Sequence, residues 1–274
     1  MTRVRLGSVS YLNARPCVVG LDRDPRFDLR FDLPSRCAAL LHDGSIDAGL
    51  VPSIEYLRGP QGAGGYRIVP DVAIASFGPV TSVALYTTRA IGDVRSIAMD
   101  TSSRTSVALT RVLCAHAFRI DPAIEASGPD LPAMLARCDA ALIIGDAALL
   151  LDHTIVTPGS ESPRAPVEKI DLGDVWSRLT GLPFVYAFWA GRPDALDAET
   201  VRVLQRARDQ GLHDAERVAA DYFQDPALQA LGARYLRDNI RYHLGDAERA
   251  GLEAFYRYAS ELGLAPEPGA LQFY

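Results

Sequence analysis

Two strand-to-helix junctions of similar polar make-up constrain this chain more than any bulk property. The first, Ser10-Tyr11-Leu12-Asn13-Ala14-Arg15-Pro16, follows the apolar run Val4–Val9. It places a phenol, a neutral amide and a guanidinium where a strand gives way to a helix. The second, Asp100-Thr101-Ser102-Ser103-Arg104-Thr105-Ser106, follows a strand-like run at 96–99 and sets five hydroxyls among seven residues. In α/β proteins ligands sit at the carboxyl ends of the strands, where such junctions face the crevice. Two of them in one chain point to two half-sites on one cleft.

The pattern between the junctions is α/β. Residues 27–33 alternate apolar and polar with a period of two, as a half-buried strand does, and Pro34-Ser35 opens a helix that Asp43-Gly44 closes. Apolar runs at 46–51, 72–77, 81–87, 96–99, Ala140–Ile144 and 184–189 read as further strands. Residues 105–118 carry Val107, Leu109, Val112, Leu113 and Phe118 at helical spacing, and the chain from 199 to 262 is almost wholly helical. The glycine-rich run 59–65 reads as a surface loop, since no Gly-Lys-Ser/Thr follows to make it a phosphate loop. Ile46-Asp47-Ala48-Gly49-Leu50-Val51-Pro52-Ser53 also lines up with Cys138-Asp139-Ala140-Ala141-Leu142-Ile143-Ile144-Gly145. Two similar lobes around a ligand account for this match, as does chance in so short a string.

Composition narrows the partners. At 274 residues with 48% hydrophobic and 23% charged, the chain has a globular make-up and ample length for a core. A formal charge of −6, without a run of Lys or Arg, argues against a nucleic-acid surface. The first nine residues lack an apolar signal-type core, and no later stretch is long and uncharged enough to span a bilayer, so a soluble cytoplasmic protein with a small-molecule partner is expected. Cys17, Cys37, Cys114 and Cys138 are scattered and read as buried thiols rather than disulfides or zinc ligands. The five histidines fall outside the junctions, and there is no H-E-x-x-H, G-x-S-x-G or G-x-G-x-x-G. No metal or cofactor is therefore expected.

Capping a helix needs one or two hydroxyls, fewer than Ser102, Ser103, Thr105 and Ser106 provide, and Arg104 at the first turn opposes the helix dipole. A bound carboxylate or phosphate resolves both points. The helix starts at Val51-Pro52-Ser53-Ile54-Glu55-Tyr56 and Ile144-Gly145-Asp146-Ala147-Ala148 expose further donors, although ordinary capping also explains them. Ser82, in a turn-plus-strand run at 78–86, fits a ligand-facing role or a structural one. Arg15 fits a substrate carboxylate or an acidic neighbour equally well.

The strings Ser10-Tyr11-Leu12-Asn13, Val51-Pro52-Ser53-Ile54-Glu55-Tyr56, Ser102-Ser103-Arg104-Thr105-Ser106, Ile144-Gly145-Asp146-Ala147-Ala148-Leu149 and Thr180-Gly181-Leu182-Pro183-Phe184-Val185 are similar to those of the chorismate dehydratase family. That family opens the futalosine route to menaquinone. The motifs run in order from residue 10 to around residue 190; beyond that the helices match only in general character. The resemblance implies a two-lobed α/β fold like that of periplasmic binding proteins, with a central ligand cleft and two crossing strands near residues 82–86 and 185–189. One lobe would comprise 1–84 and 188–274, the other 85–187. It implies a hydro-lyase that removes water from chorismate to give 3-[(1-carboxyvinyl)oxy]benzoate.

It also implies catalytic roles for Asn13 and Ser82, and substrate contacts for Ser10, Tyr11, Ser53, Ser102, Ser103, Arg104, Thr105, Ser106, Gly145 and Asp146. Neither an amide nor an unactivated hydroxyl is a base near neutral pH. Asn13 and Ser82 are accordingly expected to orient the substrate and hydrogen-bond its departing hydroxyl, while the enolpyruvyl carboxylate takes the proton. Glu55 and Asp146 are the remaining acid/base candidates, with capping or structural roles as the simpler account. The rival readings are 1,4-dihydroxy-6-naphthoate synthase, of related fold, and a non-catalytic cytoplasmic binding protein for a carboxylated metabolite.

Overall fold

Two mixed sheets of five strands each form the frame of the computed structural model, which describes residues 3–59, 65–155 and 166–274. Most of the glycine-rich run, residues 60–64, lies outside the described residues. In chain order the elements begin with β1 (Val4–Val9), β2 (Phe27–Asp32), α1 (Pro34–His42), β3 (Ala48–Pro52), the short α2 (Glu55–Arg58) and β4 (Arg67–Ser76). There follow β5 (Val83–Thr87), β6 (Ser96–Asp100), α3 (Arg104–Leu113), β7 (Ala123–Ser127), α4 (Leu131–Leu135), β8 (Ala140–Ile144), α5 (Gly145–Leu150) and β9 (Glu168–Asp171). The chain ends with α6 (Leu172–Thr180), β10 (Phe184–Gly191), α7 (Ala198–His213), α8 (Ala215–Tyr222), α9 (Pro226–Asp238) and α10 (Asp246–Glu261).

The first sheet has the order β2-β1-β3-β10-β4 and the second β7-β6-β8-β5-β9. β1 runs parallel to β2 and β3, whereas β10 inserts antiparallel between β3 and β4, with Phe188 opposite both Val51 and Ala73. In the second sheet β6 is parallel to β7 and β8, and β5 is antiparallel to β8 and β9. β3, β5, β8 and β10 are buried at every position, which is why their sequences read as continuous apolar runs without alternation. This is the expected two-lobed α/β architecture.

The crossings differ from expectation. Residues 83–87 lie within the second sheet and Phe184–Gly191 within the first, so the chain passes between sheets at 77–82 and returns through α6 and residues 181–183. At that return Trp176 of α6 packs edge-on against Phe184 of β10 at 5.2 Å and against Phe255 of α10 at 6.2 Å. Trp176 is fully buried and its indole N–H donates to the Pro183 carbonyl at 3.2 Å. Removing such a ring costs about 3–5 kcal/mol, so this aromatic group anchors the passage.

Other departures have local causes. The first junction becomes a 3-10 stretch, Leu12–Val18, because Pro16 inside it lacks an N–H to continue an α-helix. The long helix ends its α-helical part at Leu113; its last turn widens at Cys114–Phe118, and Arg119 closes it at a φ of +56°. β7 and β9 are the edges of the second sheet, β7 mostly exposed and β9 mostly half-buried, and their short sequences carry no run of apolar residues. All four cysteines are free and buried, and burial pushes the Cys17 thiol up to about 12. No helix among the described residues is long and apolar enough to cross a membrane.

Candidate active site

The carboxyl ends of β1, β3 and β8 point at one another across the gap between the sheets. The cavity they enclose measures about 50 Å³ and is lined by Tyr11, Asn13, Ser82, Ser103, Ser106 and Gly145 of the expected set. Val9, Pro34, Pro52, Ile74, Val80, Val83, Ile144, Tyr186 and Ala187 complete the wall. The lining thus holds hydroxyls, one amide and apolar surface. No carboxylate, ammonium, guanidinium or imidazole is among these lining residues.

Asn13 and Ser82 are held from the C-terminal helical section. The Tyr242 hydroxyl donates to the Asn13 carbonyl at 2.9 Å. The Tyr235 hydroxyl, fully buried on α9, donates to Ser82 Oγ at 2.7 Å. The backbone beside Ser82 is strained: Thr81 is β-branched yet sits at a φ of +64°. A conformation of that kind costs about 1–3 kcal/mol and persists only where surrounding groups enforce it. Here the Asp171 carboxylate accepts from the N–H groups of Val80 (3.0 Å) and Thr81 (2.6 Å), and the Lys169 ammonium donates to the Thr81 carbonyl at 2.9 Å. Burial raises the Asp171 pKa and lowers that of Lys169.

Around the cavity several of the expected residues also tie the two halves together, and Ser10, Ser53, Ser102, Arg104, Thr105 and Asp146 are not among its lining. At the start of α3, Ser103 Oγ caps Ser106 N, and the two hydroxyls lie 3.0 Å apart. Arg104 leaves the helix end and reaches across to Glu55 Oε2 at 2.6 Å. The clash of a cation with the helix dipole is therefore relieved by a carboxylate of the opposite lobe. Glu55, with a side chain only 2% exposed, also meets His42 at 2.9 Å and Arg58 at 3.1 Å. Burial alone would raise its carboxyl, but the His42 hydrogen bond and the Arg104 and Arg58 charges outweigh it and hold the pKa below the usual range.

Thr105 Oγ1 accepts from the Ile54 N–H at 3.2 Å, and Ser53 Oγ donates to the Val185 carbonyl at 2.8 Å. The Tyr11 hydroxyl donates to Ser102 Oγ at 3.1 Å, while the Ser35 N–H donates to the Ser102 carbonyl at 2.9 Å. Asp146 accepts from the Leu12 N–H at 3.1 Å and from the Tyr222 hydroxyl. Burial raises the Asp146 pKa despite these donors. Ser10 contributes its carbonyl, 3.1 Å from the Tyr222 hydroxyl and 3.2 Å from Arg15. Arg15 stacks over Phe31 at 4.3 Å and Tyr222 at 5.0 Å.

Tyr235, Tyr242, Tyr222, Asp171 and Lys169 were not legible as site residues. Their one sequence signal is weak: a tyrosine on a buried helix face needs a partner for its hydroxyl, but nothing in the string says that the partner is Ser82 or Asn13.

A family model described as menaquinone biosynthesis matches residues 4–261. A chorismate dehydratase of Thermus thermophilus is 34% identical over 280 residues, covering 98% of this chain and 97% of that one. A chorismate dehydratase of Campylobacter jejuni is 26% identical, covering 94% and 99%. Among solved structures, a protein of Archaeoglobus fulgidus superposes with a TM-score of 0.68 at 17% identity, covering 96% of this chain and 98% of that one. The alkanesulfonate-binding protein SsuA of Xanthomonas axonopodis pv. citri gives 0.64 at 18% identity, covering 97% and 95%. These two likenesses show the periplasmic-binding-protein-like fold.

Proposed function

Because the chain belongs to the menaquinone-biosynthesis family, we propose that it is a hydro-lyase that dehydrates chorismate to 3-[(1-carboxyvinyl)oxy]benzoate. The observation that carries this reading is a cavity containing Asn13 and Ser82 with no ionised acid or base among its lining residues. Dehydration of chorismate suits such a wall, since the substrate brings its own carboxylates and the product ring is aromatic. In the proposed reaction the enolpyruvyl carboxylate takes the ring proton beside the ether, and the neighbouring hydroxyl departs. Asn13 and Ser82 hydrogen-bond that hydroxyl and orient the ring. Positioning of this kind is worth about 7–11 kcal/mol of barrier.

The substrate carboxylates find hydroxyls and the N-terminal N–H groups of α3, where Ser103 and Ser106 stand. The space of about 50 Å³ lies below the roughly 300–1,000 Å³ of a typical ligand pocket. Entry of substrate therefore requires the lobes to part, with release of the ties made by Ser102, Arg104, Thr105 and Asp146. Closure then excludes water from the elimination.

Incubating the purified, metal-free protein with chorismate, with chromatography and mass measurement of the products, tests the proposal. Loss of one water to an enolpyruvyl benzoate is the expected result. Unchanged chorismate from folded protein would sink it.

A further inference from the structure

We propose that Tyr235 is a positioning residue that sets the polarity of Ser82, so that the Ser82 hydroxyl donates toward the bound substrate instead of accepting from it. The inference rests on the dehydratase reading for its chemical consequence, though not for its geometry. A serine hydroxyl has one proton and two lone pairs. At Ser82 Oγ one lone pair is taken by the Tyr235 O–H at 2.7 Å. The phenol's only proton is thereby committed to Ser82. The Ser82 proton is left to face the cavity that Ser82 lines.

The result is a one-way chain, Tyr235 to Ser82 to cavity, in which the first bond strengthens the next. A hydroxyl leaving a ring gathers negative charge, and a donor aimed at it stabilises that charge where an acceptor would repel it. The polarity of Ser82 is thus set by a residue that does not itself line the cavity. Tyr235 comes from α9, and the fixed backbone of Ser82, whose carbonyl accepts from the Gly145 N–H at 2.8 Å, keeps the serine in register with it. Burial raises the Tyr235 pKa, so the phenol keeps its proton over the working pH range.

The test is a cycle of Tyr235→Phe, Ser82→Ala and the double variant, with kcat and KM for chorismate measured separately. Tyr235→Phe removes one hydrogen bond without removing the ring, and a fall in kcat of about tenfold with KM nearly unchanged is expected. In the Ser82→Ala background the same change should cost less than about threefold, because its effect passes through the missing hydroxyl. Equal losses in both backgrounds, or a rise in KM at constant kcat, would overturn the inference and leave Tyr235 a packing residue. If the native protein leaves chorismate unchanged, the dehydratase reading falls by itself. The polarity is then read by NMR as a slowly exchanging Tyr235 hydroxyl proton that shifts upfield in Ser82→Ala; a signal unmoved by that change would refute it.

Discussion

Gly145 offers the sharpest separation of backbone strain from closure of the cleft. Its φ is +65°, and a Cβ placed there would stand 2.9–3.0 Å from ring atoms of Tyr11 on the opposite lobe. Gly181, at the end of α6, has a φ of +70° with nothing within 4 Å of its would-be Cβ. Alanine at either site carries the left-handed penalty of about 1–2 kcal/mol. Both variants should therefore lose a few degrees of Tm by differential scanning calorimetry. Only Gly145→Ala should also push the Tyr11 ring aside and break its hydrogen bond to Ser102. That bond and its packing are worth about 1–2 kcal/mol in the closed state alone, or roughly tenfold in kcat/KM. Steady-state rates with chorismate for both variants, compared at matched fractions folded, give the answer. If Gly145→Ala stays within twofold of native, or Gly181→Ala falls as far, the contact does not govern closure and the reasoning fails.

Three further outcomes follow from the ties around the cavity. Glu55→Gln should destabilise the protein at neutral pH by about 2 kcal/mol, tempered by the partial exposure of Arg104 and Arg58. Because the Glu55 pKa is held low, its contribution is present above the unfolded carboxylate range and lost as pH falls through the depressed value; urea titrations should show the gap to native narrowing in acid. Asp146 has the opposite sign: its pKa is raised, so its contribution is full below the unfolded value and lost as pH rises through the folded one. The stability of native relative to Asp146→Asn should thus be greatest in acid, and a gap that grows toward neutrality would contradict this. Thr105→Val leaves the buried Ile54 N–H without its acceptor, a cost of about 1–3 kcal/mol that should appear as a lower Tm and a weaker kcat/KM.

The alternation of strands and helices, the polar junctions and the two-lobed plan were legible because each has a local signal: an apolar run, a proline or capping residue, a glycine stop. The interior strands Ala140–Ile144 and Phe184–Gly191 declared themselves by unbroken hydrophobicity. β7, with Ala-Ile-Glu-Ala-Ser on an exposed edge, did not, since an edge strand needs few apolar side chains. The crossings were misplaced because periodicity locates a strand but not the sheet that it joins. At the site, the junction residues were visible, whereas the use of each was not. Arg104 carries the same letter whether it meets a ligand or Glu55, and the opposing carboxylate lies far away in sequence. Tyr235, on α9, and Tyr242, between α9 and α10, were hidden for a similar reason, as aromatic positions that read as core.

The place of β10 in the first sheet has a consequence for how the chain is made. β4 borders no strand but β10 in that sheet, and β3 meets β4 only through it. A ribosome releases β1 to β4 first, then the whole of the second sheet, and only afterwards Phe184–Gly191. The second lobe can therefore close from contiguous chain while ten residues of β4 wait without a neighbour. Unpaired apolar strands of this kind are the ones that aggregate or engage chaperones. The nascent protein is thus most vulnerable at β4, and the cavity takes form only when α9 and the segment after it arrive to deliver Tyr235 and Tyr242.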